Sequence, residues 1–286
     1  MPTELLPGLR DLSCTLNVSI DLLWYLIAVL GPRWRGEHPQ RRRGRRRASF
    51  VDLLAGTLVY LRQSTSFRAA AAAAHLPRST LHDAFGPIVA MIAELGICQA
   101  DGTLLREEDL QQWCAEMAEH GELVLLDGTA TRCPRPGASW AAQKPMWDAK
   151  HRCHATNTET LTTEHGDLLA VHGGWPGSVP EADQARHSSF IGAVLASEVA
   201  IVTDAGFRSA RADLHVICRA GNHKTPQPGD REITRARAEN ERPHALLKSW
   251  RIMDRTRITP LVKIHAITSA VLVGLQTYGH RRPDWP

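Results

Sequence analysis

What the chain lacks narrows its class first. Its longest unbroken apolar run, Leu22–Leu30, is nine residues, against the ~20 that a bilayer-crossing helix needs. No segment therefore reads as a membrane span, and no membrane partner is expected. Nor is that run flanked like a secretory leader: Asp11 precedes it, Asp21 abuts it, and Gly31-Pro32-Arg33 follows where small cleavage-site residues would stand. The six cysteines, at positions 14, 98, 114, 133, 153 and 218, have no paired spacing. That pattern fits free thiols in a reducing compartment, the cytoplasm, beside the nucleoid if the source is bacterial. No GxxxxGK[ST] phosphate loop is present, so nothing supports an ATP-driven mechanism. His151, Cys153 and His154 find no second pair at zinc-ligand spacing. No internal repeat is visible. What remains is globular: 286 residues, 43% hydrophobic and 22% charged, enough for one large domain or two ordinary ones.

The net charge of +4 conceals an uneven distribution. Between Arg33 and Arg47 stand eight arginines against Glu37 alone, a local charge of +7. From Arg219 to Lys263 there are eleven Lys/Arg against five acids, or +6. Between them, Glu94–Asp127 holds nine acids and only Arg106. Two basic segments around an acidic middle suggest a polyanion gripped from both ends of the chain. The plainer alternative for the arginine run is a self-repelling, solvated linker.

Patterning divides the chain into a helical N-terminal region (1–98), with an Arg-rich linker at 33–47, and a catalytic region of different texture (120–280). Residues 11–30 read as a helix stopped by Gly31-Pro32. Phe50–Arg62 carries apolar residues at helical spacing. Ser66 caps a helix over Phe67–His75, six of whose residues are consecutive alanines. Leu76-Pro77 ends it, and Ser79 or Thr80 starts another helix through Leu95. Helix, short turn, helix is the helix-turn-helix pattern (about 50–95), and it would present Arg78, Ser79, Thr80 and His82 to DNA. Any two packed helices give the same pattern.

Beyond residue 120, Glu122–Asp127 reads as a buried strand closing on an acid. Cys153–Thr163, alternating as a strand with one buried face does and rich in Thr, and Leu168–Trp175 read as a hairpin, followed by a helix over Glu181–Ser197. Val199–Thr203 is a further strand ending at Asp204, and Leu214–Cys218 a fifth. Helices follow over Arg231–Trp250 and Leu261–Tyr278. Two carboxylates from neighbouring strands plus a third from a helix would make an oxygen-rich site for Mg²⁺ or Mn²⁺, suited to in-line phosphoryl displacement. Either aspartate alone is better explained as a turn or cap residue.

Three blocks carry a resemblance. Leu125-Leu126-Asp127-Gly128-Thr129, followed by Arg135-Pro136, is one. Val202-Thr203-Asp204-Ala205-Gly206-Phe207 is the second. The third is Arg237, Glu241 and Lys248, spaced arginine, three residues, glutamate, six residues, lysine, and followed by Trp250-Arg251-Ile252-Met253. The aspartates are 77 residues apart, and Glu241 follows the second by 37. In this order the blocks resemble the DDE transposases of bacterial insertion sequences, in the IS-five group and its Harbinger-type relatives. Lys150–His154, Asp167 and Pro176-Gly177-Ser178 are similar to that family's hairpin and following turn.

The resemblance implies an α/β architecture: an RNase H-like catalytic domain, with a five-stranded mixed sheet flanked by helices, preceded by the all-α helix-turn-helix region. It implies Asp127, Asp204 and Glu241 as catalytic residues holding Mg²⁺ or Mn²⁺, two ions in all. It implies double-stranded DNA as partner, both terminal inverted repeats and target, and a homo-oligomer on that DNA. Positions 237, 241 and 248 would share one helix face, with Arg237 and Lys248 meeting phosphates beside Glu241. Lys150, His151 and Arg152 are further phosphate contacts. The alternative for Arg237 and Glu241 is a plain surface pair.

Departures from the family pattern are Thr234 in place of a tyrosine, Pro180-Glu181 in place of His-Asp, and Pro243 two residues after Glu241. Pro243 would kink a helix or mark its first turn, with Asn240 as cap. Glu239 competes with Glu241 but does not fit the register to Arg237 and Lys248. A DNA-binding protein descended from a transposase, or an RNase H-like nuclease that cuts without joining, would share these features.

Overall fold

The computed structural model describes residues 6–18, 20–38, 48–93, 97–98, 104–105, 107–166, 168–187, 189–203, 207, 216–218, 244–245 and 248–253. Among the described residues five helices build the N-terminal half: α1 (Leu6–Leu16), α2 (Ile20–Glu37), α3 (Phe50–Gln63), α4 (Phe67–Ala73) and α5 (Arg78–Ala93). Ser49 caps α3 by accepting from Asp52 N at 3.1 Å and donating to its Oδ2 at 2.7 Å. Ser66 caps α4 in the expected way, accepting from Ala69 N at 3.2 Å. The alanines then serve packing: Ala70 and Ala71 are buried. On α3, a Cβ at Gly56 would stand 2.9 Å from Leu81 and 3.2 Å from Ala74. Small residues therefore draw α3, α4 and α5 into close contact, and Leu58, Leu61, Leu81 and Ile88 fill the core between them.

The expected helix stop at Gly31-Pro32 does not occur. α2 continues through Pro32 to Glu37, so Arg33 and Arg35 belong to it. Trp34 explains the continuation: it is buried, stacks on His38 at 3.9 Å and approaches Phe50 at 6.0 Å. A large aromatic surface removed from water offsets the cost of proline inside the helix. Residues 39–47, with the remaining arginines of the basic run, lie outside the described residues. α5 begins at Arg78, a residue or two earlier than expected.

The second half is a mixed sheet with helices. After the short pair β1 (Ile97–Cys98) and β2 (Leu104–Leu105) come α6 (Glu107–Glu119), β3 (Leu123–Arg132), α7 (Trp140–Gln143), β4 (Trp147–Asp148), β5 (Cys153–Thr163), β6 (Leu168–Pro176), α8 (Glu181–His187), α9 (Ser189–Ala196), β7 (Ala200–Thr203) and β8 (Val216–Cys218). The sheet runs β4-β5-β3-β7-β8, with β6 also paired to β5. β5 is antiparallel to β3 and β6, whereas β7 is parallel to β3, and β8 to β7. The five expected strands are present, and the two-residue β4 makes a sixth. The single helix expected over 181–197 is two, α8 and α9.

Two strands differ from their sequence reading. β3 does not close on Asp127 but continues to Arg132, because β5 pairs with it all the way to Ala155↔Arg132. β5 is buried on both faces rather than one, with Thr156, Thr158, Glu159, Thr160 and Thr162 all inaccessible. A central strand has neighbours on both edges and layers on both sides, and its threonines suit the pleat through β-branching rather than through alternation. One core layer joins Val124, Leu126, Leu161 and Ile201 of the sheet to Leu110 and Cys114 of α6 and Ile191 and Val194 of α9.

Candidate active site

Asp127 lies mid-strand on β3, between two neighbouring strands. On one side β5 runs on past it, with Thr160 as its register partner. On the other, the described pairing with parallel β7 ends at Leu126↔Thr203. Asp127 thus follows directly on the residue level with Thr203, the last described residue of parallel β7. Its Oδ1 accepts from Gly128 N at 2.8 Å, and its carbonyl oxygen accepts from Thr160 Oγ1 at 3.3 Å.

A segment from the far end of the sequence docks against this point. His244 is buried, and its Nε2 meets Thr160 Oγ1 at 2.8 Å. His244, Ala245 and Lys248 are helical, with Ser249 N donating to Ala245 O at 3.0 Å. His244 and Lys248 are thus one turn apart on a common face, and both line an open cleft of about 860 Å³ with Asp127. The chain then leaves for the helical half, where Trp250 (1% exposed) and Ile252 sit in the core with α2, α3 and α5. Arg62 of α3 lies over the Trp250 ring at 5.0 Å and donates to Ser249 Oγ at 2.7 Å. Burial lowers the Arg62 guanidinium below its ordinary value. The stretch bearing Lys248 is therefore fixed at both ends, by Thr160 in the sheet and by Trp250 in the helical core.

The opposite wall of the cleft comes from the β4–β5 turn and the start of α8. Lys150 Nζ pairs with Glu181 Oε1 at 3.3 Å. A Cβ at Gly128 would stand 3.3 Å from that same oxygen, so Glu181 lies directly against the backbone beside Asp127. Asp148 accepts from His151 twice, from the backbone N at 3.1 Å and from Nδ1 at 2.6 Å. Arg152 closes the turn with φ 51° and is exposed. Trp140 (57% exposed) and Trp147 meet edge to face at 6.1 Å on the rim, and Lys144 stands between them in the chain.

Of the residues expected from the sequence, the fold brings Asp127, Lys150, His151 and Lys248 to one cleft. Arg152 belongs to its bordering turn but not to its wall. Arg78, Ser79, Thr80 and His82 occupy the first turns of α5, in the helical half; Arg78, Ser79 and His82 are exposed, and Thr80 is partly so. Asp204, Arg237 and Glu241 lie outside the described residues. Sequence reasoning missed His244, although Glu241-Arg242-Pro243-His244 holds a readable one-turn spacing. It also missed the Asp148–His151 pair, whose only signal was a three-residue spacing, and left Glu181 without a role.

Residues 126–275, more than half of the chain, match the family described as DDE superfamily endonuclease. The chain belongs to the DDE superfamily endonucleases. No curated protein and no solved structure matches it. As a DDE endonuclease it is a nuclease-type enzyme that acts on DNA, from a superfamily that generally uses divalent metal ions. The matched stretch opens one residue before Asp127 and takes in Glu181, His244 and Lys248.

The residues fit a hard divalent ion. Asp127 offers carboxylate oxygen, the donor such ions prefer, in a cleft that Glu181 also lines. Among the described residues no three His, Cys, Asp or Glu side chains form a complete ligand set.

Proposed function

We propose that this DDE endonuclease is a transposase of an insertion-sequence element. It would bind terminal inverted repeats through its helical half, cut DNA strands, and join the freed 3′-hydroxyl to target DNA. The observation that carries the reading is the convergence at Asp127. The strand leading into Asp204 is in register with β3 up to Leu126, and the helical stretch following Glu241 is held on Thr160, the partner of Asp127. Two chain segments flanking the other two acids, 77 and 114 residues away in sequence, thus meet the first acid in space.

The strand order β6-β5-β3-β7-β8, three antiparallel strands followed by two parallel ones, supports an RNase H-like domain. Asp127, Asp204 and Glu241 are the proposed ligands of Mg²⁺ or Mn²⁺, two ions, which would supply charge stabilisation and activate oxygen for in-line displacement. Glu241 precedes His244 by three and Lys248 by seven, the spacing of one helix face. Lys248, Lys150 and Arg237 would hold the phosphodiester by charge-assisted contacts.

The α4–α5 pair supports the helix-turn-helix reading: a four-residue connection (74–77) joins the two helices, and α5 presents Arg78, Ser79 and His82 outward. Oligomerisation on two DNA ends completes the proposal.

A strand-transfer assay with Mg²⁺ or Mn²⁺, using duplexes that carry the inverted repeats flanking the reading frame, tests it. Wild type cuts and joins, and Asp127→Ala, Asp204→Ala and Glu241→Gln do neither. Full activity in Asp204→Ala or Glu241→Gln would sink the ligand assignment. Cutting without joining would leave a nuclease, and binding without cutting a DNA-binding descendant.

A further inference from the structure

One large apolar side chain of the cleft is left in water. Among the described residues the exposed large hydrophobics are Val29 and Trp140, and Trp140, 57% exposed, lines the cleft. The chain around it is braced. Ser139 caps α7 by accepting from Ala142 N at 3.3 Å. Gln143, 4% exposed, donates from Nε2 to Gly137 O at 3.1 Å and to Ala138 O at 3.0 Å, tying the preceding loop to the end of the helix. Trp147 stands edge to face against Trp140 at 6.1 Å and against His154 at 5.2 Å. A fixed segment thus holds an indole outward, where it forgoes the gain that burial would bring.

The surroundings decide what the ring suits. Arg132, Lys144 and Lys150 are exposed and line the same cleft. Of its acids, Asp148 is engaged by His151 and Glu181 by Lys150. A protein-binding patch needs contiguous apolar surface of several hundred Å², and one indole among cations does not supply it. Cations for the backbone beside an aromatic face for a base are instead how single strands of nucleic acid are bound. Within an intact duplex each base face is covered by its neighbours, so the ring suits a base that has left the stack. The register sets its place. Trp147 pairs with His154, and Asp127 with Thr160, six residues further along β5, a separation of about 20 Å at ~3.3 Å per residue. With Trp140 a further 6.1 Å from Trp147 in either direction, that span corresponds to about four to eight nucleotides of a strand.

We propose that Trp140, braced by Trp147, is a stacking platform for an unpaired base of the bound DNA, several nucleotides away from the cut. Lys144 and Arg132 hold the backbone phosphates beside that base. The inference rests on the reading of this cleft as a DNA-cutting site, and it narrows the substrate to DNA that is opened locally rather than paired throughout. The platform makes and breaks no bond. Its contribution is to binding, where the stacking of one base on an aromatic ring is worth roughly tenfold in affinity.

The test measures binding of the full chain without divalent ion, so that DNA is held and not cut. The probes are the duplex of the flanking inverted repeat, fully paired, and the same duplex with a two-base mismatch moved stepwise away from the cut on either side. Wild type prefers a mismatch about four to eight nucleotides from the cut over the paired duplex by roughly tenfold. Trp140→Ala loses that preference, and Trp140→Phe keeps most of it. At the preferred position 5-iodouracil, which couples on irradiation to an aromatic ring stacked against it, joins to Trp140. An undiminished preference in Trp140→Ala would overturn the proposal, as would a wild type that prefers no mismatch position. A change in the sedimentation of DNA-free protein in Trp140→Ala would overturn it too, assigning the ring to a contact between copies. All three results leave the nuclease reading standing. That reading fails separately if, with Mn²⁺ added, Asp127→Ala cuts as well as wild type does or wild type cuts no duplex, and the platform falls with it.

Discussion

Gly177 offers a direct test of how tightly the cleft floor is built. It is buried in the turn after β6, where its N donates to Ala155 O at 2.9 Å and the next residue, Ser178, donates from N to Pro145 O at 3.1 Å. A Cβ added there would stand 2.7 Å from Ala155 O and 2.8 Å from Met146 O. Both obstacles are backbone carbonyls, one on β5 and one in the turn before β4, so no side-chain rotation relieves them. The requirement is one of space. Normal carbon–oxygen contact is several tenths of an ångström longer, so Gly177→Ala must push the turn away from two elements at once and stretch both hydrogen bonds. Overpacking of this kind costs about 1–3 kcal/mol, and loss of one bond about 1 kcal/mol more. We expect destabilisation of about 2–4 kcal/mol. Because Gly177, Ser178 and Glu181 all border the cleft, DNA cutting should fall as well. Gly192→Ala is the control: nothing lies within 4 Å of the added carbon on α9, and alanine gains up to about 1 kcal/mol in a helix. Urea denaturation with amide exchange on β5 measures both variants. A Gly177→Ala protein with wild-type midpoint and unchanged β5 protection would refute the steric argument.

Three further outcomes follow from the same structure. Trp250→Ala removes a ring that is 1% exposed and should cost about 3–5 kcal/mol in thermal or urea unfolding, whereas Trp140→Ala, 57% exposed, should stay within about 0.5 kcal/mol; equal effects would refute the anchoring role of Trp250. Burial pushes the Cys114 thiol up to about 12, so it should resist thiol reagents at pH 8 until the chain unfolds, while exposed Cys14 reacts at once. A raised value means stability is full below the unfolded thiol's range near 9. Above it only the unfolded form ionises, and stability should drop by about 1.4 kcal/mol per pH unit; a flat profile from pH 9 to 11 in the wild type, matched by Cys114→Ala, would contradict this. DNA affinity should fall steeply with salt, since basic segments of +7 and +6 would release counterions together; a weak salt dependence in a filter-binding titration would remove both segments from the interface.

Some features were legible in the sequence because they depend on neighbours along the chain. Ser66 before an alanine run specifies a capped helix through local hydrogen bonding and propensity, and that helix forms. Apolar Leu123–Leu126 and Ala200–Thr203 are short, buried and rich in branched or aliphatic side chains, and both became strands of one sheet. Asp127 could be singled out because the acid closing such a run stands in order with the Asp204 and Arg237–Glu241–Lys248 blocks, not by its own position alone. Pro32 misled for the complementary reason: its local preference to end a helix was outweighed by Trp34, whose burial against Phe50 and His38 involves residues on another element or a later turn. β3 was read too short because its last residues are held by β5 across the sheet, not by their own apolar pattern.

The sequence by itself determined the element types, the segregation of charge into two basic stretches around an acidic middle, and an acid at the critical strand. These follow from propensity, capping and periodicity, which act over a turn or a strand. Only the tertiary structure decided what stands beside Asp127. It set Thr203 level with Leu126, seated His244 on Thr160, laid Glu181 against Gly128 and tied the Lys248 stretch to the helical core through Trp250. Such pairings join residues 84 apart at Thr160–His244 and 187 apart at Arg62–Ser249. No local preference encodes them; they exist because a buried layer has room for one arrangement of strands and leaves few ways to satisfy its polar groups.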